Sequence, residues 1–220
     1  MNRTIKVTGK GVVKVKPDMI RIHMTLQDVQ KTYDEAIQES ARQVEVLKDS
    51  FEEIGFDRTD LKTLNFSVDT ENESYQDKYK NWLRRFVGYK FSHSLKIEFD
   101  ANNELLGKVL YALANASVKP EFRISYTVRD VEKAKNKLLK GAVVDSKEKA
   151  TILTEAAGVT LGDIVAIDYS WGEINFVSNS FLNNMSLDDA CLPCGGAIDM
   201  DIEPDDIDVS DTVTVIWEIR

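Results

Sequence analysis

The feature that most constrains this chain is period-two alternation, and it begins at the N-terminus. Residues 5–18 read Ile5-Lys6-Val7-Thr8-Gly9-Lys10-Gly11-Val12-Val13-Lys14-Val15-Lys16-Pro17-Asp18, apolar and polar side chains alternating on both sides of a Gly-x-Gly step. A residue that repeats every second position lies on one face of a strand, so the stretch is extended and half-buried. Glycine tolerates the positive φ of a tight reversal, which predicts a β-hairpin turning at Gly9 and Gly11, with strands over about 4–9 and 12–27. Pro17 has no N–H to give a ladder and belongs at an edge or a bulge where the long second strand bends. In that strand Ile20, Ile22, Met24 and Leu26 alternate with Arg21, His23, Thr25 and Gln27, leaving one face wet.

Helical spacing follows. Thr32-x-x-Glu35 forms a capping box, in which hydroxyl and carboxylate each satisfy an orphan N–H of the first turn. The stripe Tyr33, Ala36, Ile37, Ala41, Val44, Leu47, Phe51, Ile54 follows helical spacing up to Gly55, a C-terminal stop. Two strands come next, one with Leu64, Phe66 and Val68, the other with Val87, Tyr89, Phe91, His93, Leu95, Ile97 and Phe99 on one parity. Between them, residues 71–83 carry Tyr75, Tyr79 and Trp82 among polar neighbours, either as a long hairpin tip or as an extension of both strands. Exposed aromatic rings there suit protein contact, since they offer large apolar area at low entropy cost; the alternative is that they pack the loop on itself. A short helix over about 102–116 precedes a strand through Phe122, Ile124, Tyr126 and Val128. The longest helix then runs over about 131–157, with Asp130 as N-cap, Gly158 as stop and a lysine-rich solvated face. Val165, Ile167, Tyr169 and Trp171 mark the penultimate strand, and Val213, Val215, Trp217 and Ile219 the last.

The element order is therefore ββ-α-ββ-α-β-α-ββ. Hairpin-linked neighbours imply antiparallel pairing, so the expected class is α+β, a mostly antiparallel sheet with packed helices. One domain over 1–220 is expected, with a loop or arm insertion at about 173–203.

Charge separates the chain into unequal parts. Fourteen acidic residues and no Lys or Arg occupy residues 150–218, whereas the remainder holds 23 acidic and 28 basic residues. The acidic block repels phosphates and argues against nucleic acid as a partner. It suits either a solubilising face or a contact with the basic part of a neighbouring subunit. No apolar run is long enough to span a membrane. Met1-Asn2-Arg3-Thr4 leads straight into a strand without an apolar leader, which reads as cytoplasmic as written, or as periplasmic or otherwise extracytoplasmic if a leader was removed.

The cluster with chemical potential is Cys191-Leu192-Pro193-Cys194. A C-x-x-C pair can ligate zinc, cycle as a dithiol or close a disulfide, or consist of plain loop cysteines, the reading that its Gly/Pro surroundings suit. Zinc needs further ligands, from a second subunit's pair or from carboxylates such as Asp188 and Asp189; of the two histidines, His93 lies on an apolar strand face and His23 on a wet one. Asp199-x-Asp201-x-Glu203 resembles the start of a calcium loop, but Pro204 and Ser210 stand where the EF-hand pattern needs glycine and glutamate. The nucleophile elbow G-x-S-x-G is absent, and Gly9-x-Gly11 opens no helix and so is no phosphate cradle.

Several of these pieces together resemble the SIMPL-domain family, which contains bacterial periplasmic oxidative-stress defence proteins, periplasmic immunogens and an animal protein that binds an interleukin-receptor-associated kinase. The matching residues are Val7-Thr8-Gly9-x-Gly11, Val13-x-Val15-x-Pro17-Asp18, Thr32 with Ala36, Gly55, Asp60-Leu61-x-Thr63, Gly88-Tyr89, the helix Ala142-x-x-Asp145-x-Lys147-x-Lys149-Ala150 with Leu153, Ala156 and Gly158-Val159-x-Leu161-Gly162, and Val213-Thr214-Val215. The resemblance implies an α+β domain that tends to oligomerise, with no established catalytic residues. It does not account for the acidic, cysteine-bearing insert, and the absent leader departs from the family's periplasmic members. The functional expectation is a non-enzymatic homo-oligomer acting through protein contacts in stress or envelope physiology, with Tyr75, Tyr79 and Trp82 as contact residues and no cofactor. The alternative is a metal- or redox-responsive protein using Cys191 and Cys194, with zinc as the metal.

Overall fold

The computed structural model describes residues 3–170, 176–179 and 202–220. In chain order the elements are β1 (Thr4–Val15), β2 (Met19–Gln30), α1 (Tyr33–Glu52), β3 (Lys62–Gln76), β4 (Trp82–Asp100), α2 (Asn103–Asn115), β5 (Glu121–Thr127), α3 (Val131–Ala156), β6 (Leu161–Asp168), β7 (Val177–Asn179) and β8 (Ile207–Ile219). This is an α+β protein, as the alternation implied, with the short β7 added inside the stretch read as an insertion. The strands form a three-stranded sheet of order β1-β8-β6 and a five-stranded sheet of order β3-β4-β2-β5-β7. The chain divides into two compact units: unit 1 is Met1–Asp18, Thr127–Ser178 and Pro204–Arg220, and unit 2 is Met19–Tyr126 and Asn179–Glu203.

In unit 1 the first and last strands pair with each other. β1 runs antiparallel to β8 without a register break, from Thr4↔Glu218 to Val15↔Ile207. The expected N-terminal hairpin is therefore absent: Gly9 and Gly11 lie inside one continuous strand, neither with a positive φ. Their role is close approach. A Cβ on Gly9 would lie 2.0 Å from the Ala142 carbonyl oxygen, and one on Gly11 2.0 Å from that of Leu138. Helix α3 thus rests its backbone directly on β1. Its buried residues fall every fourth position (Ala134, Leu138, Ala142, Ser146, Ala150 and Thr154), and most are small, which permits that approach. Asp145 reinforces the seam by accepting a 2.6 Å hydrogen bond from the Lys10 N–H. The chain leaves β1 at Lys16-Pro17-Asp18, where Asp18 donates its N–H to the Thr127 carbonyl and accepts from the Arg129 N–H. Val7, Val213, Val215 and Trp217 complete this core.

Unit 2 has the larger core. Ile20, Ile22, Met24 and Leu26 of β2 and Phe91, Leu95, Ile97 and Phe99 of β4 meet Leu47 and Phe51 of α1 and Leu106, Val109 and Leu113 of α2. Helix α1 begins where the sequence placed it: Thr32 accepts from the Glu35 N–H and Glu35 accepts from the Thr32 N–H. Gly55 takes φ +100° just beyond the helix, a conformation that costs other residues strain. No helix among the described residues is long and apolar enough to cross a membrane.

Candidate functional site

The β3–β4 hairpin outgrows its sheet. β2 accompanies β4 from Met19↔Asp100 to Gln30↔Tyr89, and there it stops. β3 and β4 go on pairing, through Glu71↔Gly88 to Gln76↔Trp82, so the last stretch is a two-stranded arm. Of the two readings open to residues 71–83, extension of both strands is the one observed. Gly88 marks the root of the arm, where a Cβ would sit 2.3 Å from the Gln30 carbonyl oxygen. No other residue lets the end of β2 lie so close to β4.

Asp77 organises the tip. Its carboxylate accepts from the backbone N–H groups of Tyr79 and Asn81 at 2.7 and 2.9 Å, while its own N–H reaches the Asn81 carbonyl. The Asn81 N–H holds the Asp77 carboxyl below its usual range, with burial opposing and the Tyr79 N–H assisting. Lys80 takes φ +66° to complete the reversal. The tip is thus built by hydrogen bonds and leaves its rings outside. Tyr79 and Trp82 are each 72% exposed.

A bulge sets which rings share a face. Glu71 pairs with Gly88 but Asn72 pairs with Phe86, so Val87 is the extra residue and parity flips beyond it. Phe86 thereby joins Tyr89, their rings 5.4 Å apart and edge to face, and Tyr89 in turn meets Tyr33 at 5.7 Å. Beyond the flip, Trp82 and Phe86 lie on one face of the ribbon and Tyr75 and Leu83 on the other. On that second face the Arg85 guanidinium sits 6.0 Å from the Tyr75 ring and pairs with Glu73. The three aromatic residues expected to make contacts, Tyr75, Tyr79 and Trp82, are all on this arm and all exposed. Phe86, half-exposed, and Tyr33 belong with them and were missed: strict alternation puts Phe86 on the opposite face from Tyr89, and helical spacing puts Tyr33 and Ile37 in the packed stripe of α1, where both are instead exposed. The signal was Gly88, a residue that often marks a bulge within a strand.

The chemical candidates fare differently. Cys191, Cys194, Asp188, Asp189, Asp199, Asp201 and Trp171 lie outside the described residues. His93, expected in the core, bridges two hydroxyls, with Ser40 Oγ 3.0 Å from Nδ1 and Thr63 Oγ1 2.9 Å from Nε2. Burial, then the nearby Lys48 charge, pushes its pKa down, so the ring is held neutral. His23 lies on the opposite face of the sheet. Among the described residues no group of three His, Cys, Asp or Glu side chains could hold a metal ion.

Comparison with known proteins bears on the whole chain. The SIMPL family model, described as a protein of unknown function, matches residues 5–217. The 26 kDa periplasmic immunogenic proteins of Brucella melitensis and Brucella abortus are each 27% identical over 165 residues, covering 74% of this chain. The match spans 65% of the length of these relatives.

Proposed function

The chain belongs to the SIMPL family, and we propose that it works without catalysis, as a self-associating protein whose β3–β4 arm grips a second copy. The observation that carries this reading is the arm itself, with Tyr79, Trp82 and Phe86 held out by an ordered turn and a bulge rather than folded onto a core. Large exposed rings on a rigid ribbon are what interface centres use. Its cations Lys78, Lys80, Arg84 and Arg85 have a complement in the same chain, the acidic stretch of residues 150–218, which favours a second copy as the occupant. We place the protein outside the cytoplasm, in envelope physiology, because the two relatives are named as periplasmic proteins.

Light scattering on the size-exclusion peak tests this. The wild type is expected to be larger than one chain, and Trp82→Ala with Tyr79→Ala to weaken the assembly. A strictly monomeric wild type at high concentration sinks the reading; an unchanged oligomer in the double variant removes the arm from it. The Cys191-x-x-Cys194 spacing supports a second reading, a metal- or redox-responsive protein. Elemental analysis with a thiol count decides it, since no metal and two free thiols of ordinary reactivity would end it.

A further inference from the structure

Helices cover one face of the unit 2 sheet; among the described residues the other face is polar apart from Met19 and Val29 and carries an unusual row of basic residues. Register places His23 opposite Lys96 and Lys96 opposite Lys62. Arg123 of β5 comes next on the other side, close enough to depress His23 electrostatically. Three cations, with the His23 imidazole among them, thus stand in line on four adjacent strands, spanning about 14 Å at about 4.8 Å per strand. Like charges directly opposite one another destabilise a sheet. Close by, Glu98 offsets them, 2.5 Å from Arg21 Nε and 2.9 Å from Lys96 Nζ. Lys62 and Arg123 make no salt bridge among the described residues. The other carboxylates on the face stand away from the row, Asp100 opposite Met19 at one end, Asp69 opposite Lys90 and Glu71 opposite Gly88 at the other, and Glu121 accepts from Gln27.

A row of charge along a sheet is matched best by a second extended surface of opposite charge. The same chain offers one of opposite sign. Asp205, Asp206 and Asp208 lead into and begin β8, with Lys14 as their neighbouring cation, 3.7 Å from Asp206. An extended segment advances about 3.3 Å per residue, so these carboxylates fall within about 10 Å, inside the span of the basic row. We infer that the open face of the unit 2 sheet, centred on Lys62, Lys96, His23 and Arg123, receives the acidic Asp205–Asp208 segment of a second copy. The inference rests on the self-association proposed above and adds a contact distinct from the arm. Because the two surfaces differ, the contact is head-to-tail, and such contacts build rings or filaments rather than closed pairs.

Charge reversal on each side tests it. One variant carries Lys96→Glu with Arg123→Glu, the other Asp205→Lys with Asp208→Lys, and sedimentation measures assembly at 0.05 and 0.5 M salt (roughly a threefold change in screening length). Each variant alone is expected to associate about tenfold more weakly than the wild type. The wild type is expected to weaken with salt, and an equimolar mixture of the two variants to regain assembly, which also shows that both are folded. Variants that assemble like the wild type, or a mixture that does not recover, overturn the inference. If assembly is lost in the Trp82/Tyr79 variant but not on charge reversal, the arm stands and this face falls. A monomeric wild type removes both.

Discussion

The β1–α3 seam and the β3–β4 arm use the same kinds of residues to opposite ends. At the seam, glycines and small residues bring backbone against backbone, and the Asp145 and Asp18 carboxylates, accepting from the Lys10 and Arg129 N–H groups, tie strand to helix and loop. On the arm, a glycine and a bulge carry aromatic rings away from any core. Many of the residues that carry the family resemblance sit at the seam or at caps and turns: Gly9, Gly11, Asp18, Thr32, Gly55, Ala142, Asp145 and Gly158. Each has a structural task in this chain. The resemblance thus describes how the scaffold is closed, and the arm is where contact residues are free to sit.

The largest effect expected from breaking this contrast is at Gly9. Valine there would drive its Cβ into the Ala142 carbonyl and the Ser146 N–H, backbone atoms that cannot swing aside. Denaturant unfolding should show a loss of at least about 3 kcal/mol, toward the severe end of overpacking. Gly141 is the control within the same seam. Its added Cβ would meet only the Gly11 Cα, at an ordinary 3.6 Å, so Gly141→Ala should gain about 0.5–1 kcal/mol from helix propensity. If both substitutions move stability the same way, close approach is not what fixes Gly9.

The error over Gly9 and Gly11 shows where sequence reading reaches its limit. Alternation located the strands because it depends only on which face is wet, and capping located α1 and α3 because the signal is local. Glycine has two uses, positive φ and the missing Cβ, and composition does not separate them. Parity does: Val7, Gly9, Gly11 and Val13 keep one phase across the supposed turn, which a two-strand reversal would not require. The matching sign was the four-residue spacing of small side chains on α3. On the arm, Tyr75, Tyr79 and Trp82 were legible as exposed rings, whereas Phe86 was hidden by a bulge. The basic row on the unit 2 sheet was less legible still, since it exists only once three strand registers are known.

A cap should matter less than the seam. Thr32→Ala removes one half of the α1 capping box and should cost about 1 kcal/mol. Thr32→Ser keeps the hydroxyl and should recover most of it. Equal losses in the two variants would mean that the methyl group, and not the hydrogen bond, is the stabilising part.

Acid should also separate the regions. Both histidines, His23 and His93, belong to unit 2, and both have pKa values lowered from the ordinary 6.5, His93 by burial and then Lys48, His23 by burial and then by Arg21 and Lys96. A histidine whose folded pKa is depressed binds its proton more readily unfolded. Its contribution is therefore complete above about pH 6.5 and is lost as pH falls from there through the folded value. Urea midpoints should fall between pH 7 and about pH 5, and replacing both with glutamine should flatten the slope. Unit 1 contains no histidine, so hydrogen exchange of the β1 and α3 amides, corrected for intrinsic rate, should respond less across that window than exchange in β2 and β4.

The smallest stability change is expected on the arm, and there its smallness is informative. Trp82 and Tyr79 are 72% exposed, and the turn beneath them is held by the Asp77 carboxylate and backbone groups. Truncating both rings removes almost no buried area, so the unfolding free energy of the separated chain should move by no more than about 0.5 kcal/mol. Asp77→Ala is the complementary change, since it leaves the rings in place but removes the acceptor that orders the turn. If the arm works as a rigid ribbon, both variants weaken self-association while thermal unfolding of the dilute protein hardly moves. An arm whose rings matter but whose turn does not would show the first effect alone, and its rings would then act as flexible anchors. A loss of stability in the ring variant comparable to that of Thr32→Ala would mean the rings belong to the fold, and the contrast with the seam would disappear.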